Sequence, residues 1–203
     1  MERTYIKDVT PGVRRVSGFV ENFRNKRTMA FIVVKDITGK LQVTIEKEKH
    51  PEFTEMLDKL TIHSVVTFEG EVVASEYVKM GGKEMYPDVM NVESYADALP
   101  IKDDSDIDVR MDYRWIDLRR DMNHLMLRMQ TTLTNAMREF LVEKNFVEIH
   151  TPKLIGAASE SGSDVFEVKY FDGNAYLAQS PQFYKQMAMA AGLERIFETG
   201  PVF

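Results

Sequence analysis

The chain has 203 residues, 44% hydrophobic and 29% charged, with no cysteine and a formal net charge of −6. That length buries one large core or two small ones, and the missing cysteines exclude disulfides, thiolate nucleophiles and cysteine-based metal sites. No run is long and apolar enough to span a bilayer, and the opening MERTYIKDVT has neither the apolar core nor the cleavage site of a signal peptide, so a cytoplasmic protein is expected.

In chain order, VRRVSGFVENF (13–23), RTMAFIVVKD (27–36) and KLQVTIEKE (40–48) read as strands, with turn residues at Asn25-Lys26 and Thr38-Gly39. PEFTEMLDKL (51–60) places Phe53, Met56, Leu57 and Leu60 at helical spacing. Further strands at 64–75 and 84–93 flank a loop containing Gly81-Gly82. Five strands with a helix between the third and fourth predict an OB-fold β-barrel over residues 1–103. A small SH3-like barrel has a similar strand count without that helix. Residues 1–50 hold eleven Lys/Arg against six Asp/Glu, net +5, whereas the remainder nets −11. A basic module on an acidic body can meet phosphates locally.

The stretch ALPIKDDSDIDVRMDYR, with Pro100 and acidic residues through 103–108, breaks the pattern and reads as a linker over 104–121. From 122 to 144, Leu125, Met126, Met129, Leu133, Met137, Phe140 and Leu141 form one helical stripe, expected to pack as core against a sheet. NFVEIHTPKLI (145–155) reads as a strand ending near Pro152, and GAASESGSD (156–164) as a small-residue loop. VFEVKYF and AYLAQ form a hairpin about Asp172-Gly173. A helix over 181–191 and a new strand from ERIFETGPVF follow. This order predicts an antiparallel α+β domain over 122–203. There is no Gly-rich phosphate loop, and His50, His63, His124 and His150 lack metal-ligand spacing, so no metal site is expected.

Two groupings can carry chemistry. Gln182 and Lys185, three residues apart, share a helix face where an amide and an ammonium can hold a carboxylate or zwitterion. Glu160, in the preceding loop, can meet an ammonium. A solvated helix start explains the same pair. Phe31 and Gln42 lie on adjacent strands, as in barrels that stack bases on aromatics and read their edges with amides. Arg24, Lys26 and Arg27 surround the neighbouring turn, in reach of phosphates. Core packing is the other reading of Phe31.

FDGNAYLAQSPQFYKQM (171–187), DYRWIDLRR (112–120), NFVEIHTPKL (145–154) and GLERIFETGPVF (192–203) together resemble the N-terminal half of a class II aminoacyl-tRNA synthetase, of the archaeal or eukaryotic aspartate–tRNA ligase family. The resemblance implies an anticodon-binding barrel followed by the start of a catalytic domain. It further implies that Lys185 holds the aspartate side-chain carboxylate, with Gln182 beside the amino acid and Glu160 on a covering loop. There, Ser161 and Gly162 depart from the commoner Gly-Gly. Phe31 would stack an anticodon base, with Gln42, Glu84 and Arg24 also in the anticodon site. Pro152 would mark the first class motif, at a homodimer interface. ATP and magnesium would serve the complete enzyme, and the partners would be L-aspartate and aspartate tRNA, with asparagine tRNA left open; neither DNA nor a membrane is expected.

The family's ATP-gripping arginine and glutamate would fall after Phe203. The resemblance therefore implies no catalytic residue within these 203 positions and no adenylate formation by them alone. The strand at 194–203 is expected to lack a partner, leaving Ile196, Val202 and Phe203 on an open edge. A non-catalytic RNA-binding or dimerisation module derived from such an enzyme, and an asparagine–tRNA ligase, are the alternative readings.

Overall fold

Alternating apolar residues in the first half of the chain fold as strands that close on themselves. The computed structural model describes residues 1–157 and 166–203, in two units, Met1–Val109 and Arg110–Phe203. In the first, β1 (Gly12–Asn25), β2 (Met29–Lys35), β3 (Lys40–Glu46), β4 (Val65–Ala74) and β5 (Lys83–Ser94) form a closed barrel in the order β1-β2-β3-β5-β4. Neighbours are antiparallel except β3 and β5. Every second residue points inward: Ala30, Ile32 and Val34 on β2, and Leu41, Val43 and Ile45 on β3, are buried. A 3-10 turn (Pro51–Phe53) and α1 (Thr54–Lys59) connect β3 to β4 and send Phe53 and Leu57 into the same core. The helix at this connection decides for the OB barrel.

Closure depends on two glycines. β1 pairs with β4 through Phe19 and with β2 from Phe19 onward, so one strand serves both neighbours. At this changeover a Cβ on Gly18 would sit 2.3 Å from the Lys35 carbonyl oxygen. On β4, a Cβ on Gly70 would sit 2.2 Å from the Tyr86 carbonyl oxygen, beside a register shift where Gly70 opposes Pro87. Only hydrogen fits at such approaches. The β2–β3 turn is held by Asp36. One of its oxygens accepts from the Thr38 N–H and hydroxyl (both 2.6 Å) and the Gly39 N–H (3.0 Å); the other accepts from the Ile6 N–H (2.9 Å), pinning the N-terminal segment.

The stretch expected as a linker carries two short helices, α2 (Ile107–Asp112) and α3 (Arg114–Asp117). Asp117 is buried. It accepts from Arg110 Nε at 2.7 Å, Asn123 Nδ2 at 2.9 Å and Arg114, with Arg120 Nε at 3.2 Å. The Arg110 hydrogen bond is the main influence holding this carboxyl below its ordinary value. Burial opposes it, while Asn123 and the charges of Arg110 and Arg114 assist. The cluster fixes the approach to α4 (Asp121–Glu143), since the Asn123 amide also donates to the Asp117 carbonyl at 2.6 Å.

Beyond α4, β7 (Leu154–Ile155), β9 (Gly173–Leu177) and β8 (Glu167–Tyr170) form an antiparallel sheet. β6 (Val147–Glu148) pairs with β10 (Ile196–Phe197), and α5 (Gln182–Ala190) lies between β9 and β10 in sequence. Four expectations are corrected here. The strand expected from 145 to near Pro152 stops at Glu148, and a second short strand, β7, follows Pro152, which supplies no N–H to a ladder. The hairpin turns at Phe171-Asp172, because Gly173 pairs with Tyr170; Phe171 takes φ +51°. β10 does have a partner, and the pairing with β6 is parallel, so the sheet is not wholly antiparallel. Val202 and Phe203 are exposed, with the Phe203 N–H donating to the Ala178 carbonyl at 3.3 Å.

The fourth correction concerns α4. Its stripe is not core: Leu125, Met126, Met129, Leu133, Met137 and Phe140 are all exposed, Leu133 by 61%. The described sheets of this unit are small, and none of them covers the stripe. Among the described residues no helix is long and apolar enough to cross a membrane.

Candidate nucleic-acid interface and amino-acid pocket

The outer face of the barrel collects the residues that the sequence placed on separate strands. Ala30 and Ile32 point inward, so Phe31 between them points out, half-buried; the core reading of Phe31 is thereby excluded. Register places Arg24 opposite Phe31 and Phe31 opposite Thr44. A second row runs from Val33 through Gln42 to Glu84 across the parallel β3–β5 pair. The guanidinium of Arg24 and the ammonium of Lys26 each lie 5.9 Å from the centre of the Phe31 ring, within cation–π range.

Hydrogen bonds tie the two rows together. Gln42 Nε2 donates to Thr44 Oγ1 at 3.2 Å, and Thr44 Oγ1 donates to Glu84 Oε2 at 2.8 Å. The Thr44 hydroxyl spends its one proton on Glu84, which orients both neighbours while the Gln42 carbonyl oxygen stays an acceptor for a ligand. Burial, then the charge and hydrogen bond of Glu84, then Glu46, push the Tyr86 phenol up, so at neutral pH it is a protonated donor beside an acceptor carboxylate. Thr44 and Tyr86 escaped the sequence reading. The clue was their even spacing from Gln42 and Glu84, which puts each on its neighbour's face of the strand.

On α5 the structure brings Gln182 and Lys185 onto the first helical turn, where the Lys185 N–H donates to the Pro181 carbonyl at 3.0 Å. Lys185 is half-buried, and its ammonium has no hydrogen bond or ion pair among the described residues. Glu160, with Ser161 and Gly162, lies outside the described residues.

Pro152 is exposed between two residues that grip the same carboxylate. Glu198, its side chain 4% exposed, accepts from the Thr151 N–H (3.0 Å), the Thr151 hydroxyl (2.9 Å) and Lys153 Nζ (2.7 Å). Burial alone would raise this carboxyl, but the Lys153 hydrogen bond, the two Thr151 donors and the Lys153 charge hold it down to about 2. Beside it, Glu148 accepts from Arg138 Nε at 3.0 Å and the Thr199 hydroxyl at 2.7 Å, and Arg138 also donates to Thr199 at 2.7 Å. These bonds clip β10 and its extension to β6 and α4. The sequence reading missed them; the available signal was a glutamate inside the apolar run IFETGPVF, which must find donors when buried.

An outward aromatic thus stands beside amide, hydroxyl and carboxylate groups on a closed five-stranded barrel. Residues 15–93 match the OB-fold nucleic acid binding domain family, and residues 106–203 match the class II tRNA synthetases (D, K and N). Over its whole length the chain is similar to aspartate–tRNA ligases. It is 44% identical over 100% of its length to the aspartate–tRNA(Asp/Asn) ligase of Methanopyrus kandleri, covering 49% of that protein. To the aspartate–tRNA(Asp) ligase of Picrophilus torridus it is 41% identical over 99% of its length, covering 48%. The solved asparaginyl-tRNA synthetase of Pyrococcus horikoshii complexed with asparaginyl-adenylate superposes with a TM-score of 0.92 at 30% identity, covering 100% of this chain and 48% of that one. The aspartyl-tRNA synthetase of Entamoeba histolytica gives 0.81 at 27%, covering 100% and 46%. The chain thus spans about half the length of the curated relatives it matches.

Proposed function

We propose that this chain supplies the anticodon-reading barrel and part of the amino-acid pocket of a cytoplasmic aspartate–tRNA ligase. The observation that carries the reading is the Phe31, Thr44, Gln42 and Glu84 surface, built on an OB barrel in one chain with a class II synthetase segment. In the proposed reaction the aspartate α-carboxylate displaces pyrophosphate from ATP. The terminal ribose hydroxyl of the tRNA then takes the aspartyl group and releases AMP. Phe31 stacks an anticodon base, Gln42 and Glu84 meet base edges, and Arg24 and Lys26 meet phosphate.

Lys185 pairs with the substrate's side-chain carboxylate. An asparagine amide forfeits that charge-assisted bond, which makes Lys185 the discriminating residue and Gln182 an orienting one. The segment around Pro152 forms a homodimer interface. Magnesium would supply positive charge against the ATP phosphates. No three His, Asp or Glu side chains converge to hold an ion among the described residues, so none is assigned to it.

The test is titration of the chain with an aspartate anticodon stem-loop, and with one whose three anticodon bases are replaced, at two salt concentrations. Phe31→Ala is expected to cost roughly 1–3 kcal/mol. Binding indifferent to both the mutation and the bases refutes the reading. A parallel titration with the asparagine stem-loop decides between one tRNA and two.

A further inference from the structure

We propose that Lys153 is a positioning residue for the amino-acid pocket, holding the turn from which Gln182 and Lys185 project; this rests on the reading of Lys185 as the partner of the substrate's side-chain carboxylate. β9 ends at Leu177 and α5 begins at Gln182. Ala178 is the first residue of the short connection, so its place decides where the first turn of α5 starts.

Ala178 is held from both sides. Its N–H donates to the Lys153 carbonyl at 2.9 Å, extending the β7–β9 ladder past the pair Leu154–Leu177. Its carbonyl accepts from the Phe203 N–H at 3.3 Å. Ala178 is buried, so each of these backbone groups depends on its partner. One side chain ties the two flanking segments together. Lys153 Nζ donates to Glu198 Oε1 at 2.7 Å and to the Thr151 hydroxyl at 3.3 Å. Its stem passes the backbone of Gly200, where an added Cβ would lie 3.8 Å from Lys153 Cε. Lys153 thus meets Ala178 through its own carbonyl, and its ammonium fixes the segment that reaches the other side of Ala178.

The charge of Lys153 is what this link needs. Among the described residues Lys153 is the cation paired with the buried Glu198 carboxylate. Without it the Thr151 donors remain, but the carboxylate is buried with no counter-charge. Moving the 198–203 segment toward water relieves that cost, and the move withdraws the Phe203 N–H from Ala178. Beyond the Ser180-Pro181 turn, the Lys185 N–H is bonded to the Pro181 carbonyl at 3.0 Å. A displaced turn therefore carries the start of α5 and its two pocket side chains with it. A substrate-positioning group misplaced by about 1 Å can cost on the order of a hundredfold.

The experiment measures aspartate-dependent pyrophosphate exchange in a polypeptide joining this sequence to the rest of a class II catalytic domain. Lys153→Met, Lys153→Arg, Glu198→Gln and Lys185→Met are compared, and amide hydrogen exchange is followed in the 203-residue chain. Lys153→Met should raise KM for aspartate roughly 10- to 100-fold, and Lys153→Arg, which keeps the charge, should restore most of the loss. Glu198→Gln perturbs the same pair from its other side and should raise KM in the same direction by less. In Lys153→Met the Ala178 and Lys185 amides should lose protection together. A lower kcat with KM for aspartate unchanged means only that less enzyme is folded, and overturns the positioning role while the pocket reading stands. Should Lys153→Met fail to fold, an unchanged KM in Glu198→Gln overturns the role equally. If Lys185→Met leaves kcat/KM for aspartate unchanged, the pocket reading itself fails and the proposal falls with it.

Discussion

Replacing Glu198 with Gln removes one charge from a buried clip of three donors while keeping the side-chain shape. The carboxyl is held at about 2, from an ordinary 4.5. Because the folded value is depressed, the unfolded chain binds the proton more tightly. The stabilisation is fully present above about pH 4.5 and is lost as pH falls toward 2. Linkage puts its size at about 3 kcal/mol at pH 7. Lys153 is a quarter exposed, and solvent screening trims this to on the order of 2 kcal/mol.

The natural reporters are the amides of Val147 and Ile149, whose N–H groups donate to the Arg195 and Phe197 carbonyls at 2.9 Å across the β6–β10 pair. Their opening free energies, from hydrogen exchange corrected for intrinsic rates, should fall by about 2 kcal/mol in Glu198→Gln at pH 7. The unaltered chain should itself lose about 1 kcal/mol between pH 7 and 3.5, narrowing the gap. Asp117 and Glu148 also have depressed values, but they titrate in both proteins and cancel in the difference. A gap that stays constant down to pH 3, or no gap at pH 7, refutes the clip as an electrostatic device.

Gly70→Ala should destabilise the barrel by at least about 1–3 kcal/mol, read as a lower denaturant midpoint; Gly12→Ala, whose nearest neighbour is a flexible arginine 3.6 Å away, should cost less despite its positive φ. Asp117→Asn leaves Arg110, Arg114 and Arg120 without their shared carboxylate and should lower the thermal midpoint of the second unit at pH 7, an effect that shrinks in acid; an unchanged midpoint would show that the cluster contributes nothing. Lys185→Met, in a polypeptide joining this sequence to the rest of a class II catalytic domain, should cost about 2–4 kcal/mol in kcat/KM for aspartate. The assay is aspartate-dependent pyrophosphate exchange, and a loss under about threefold would return Lys185 to a solvated helix face.

Short-range order was legible in the sequence because its causes are short-range. The strands β1 to β5 follow from runs rich in β-branched and aromatic residues with turn residues between them, α1 from apolar residues at helical spacing, and the shared face of Gln182 and Lys185 from their three-residue separation on the helix read over 181–191. The run MAFIVV is apolar on both faces, so its pattern cannot say which way Phe31 points. Closure of the barrel decided that, by turning Ala30, Ile32 and Val34 inward. The Thr44–Glu84 bond joins residues 40 apart and the Glu198 clip joins residues 45 to 47 apart. Both depend on registers between strands that chain order does not specify. The apolar stripe of α4 promised burial by its period, but periodicity describes a face and does not provide the surface that covers it. Hydrophobic patterning acts through neighbours a few residues away, whereas a polar site needs donors and acceptors to meet within about 3 Å, and only the packed tertiary arrangement brings them there.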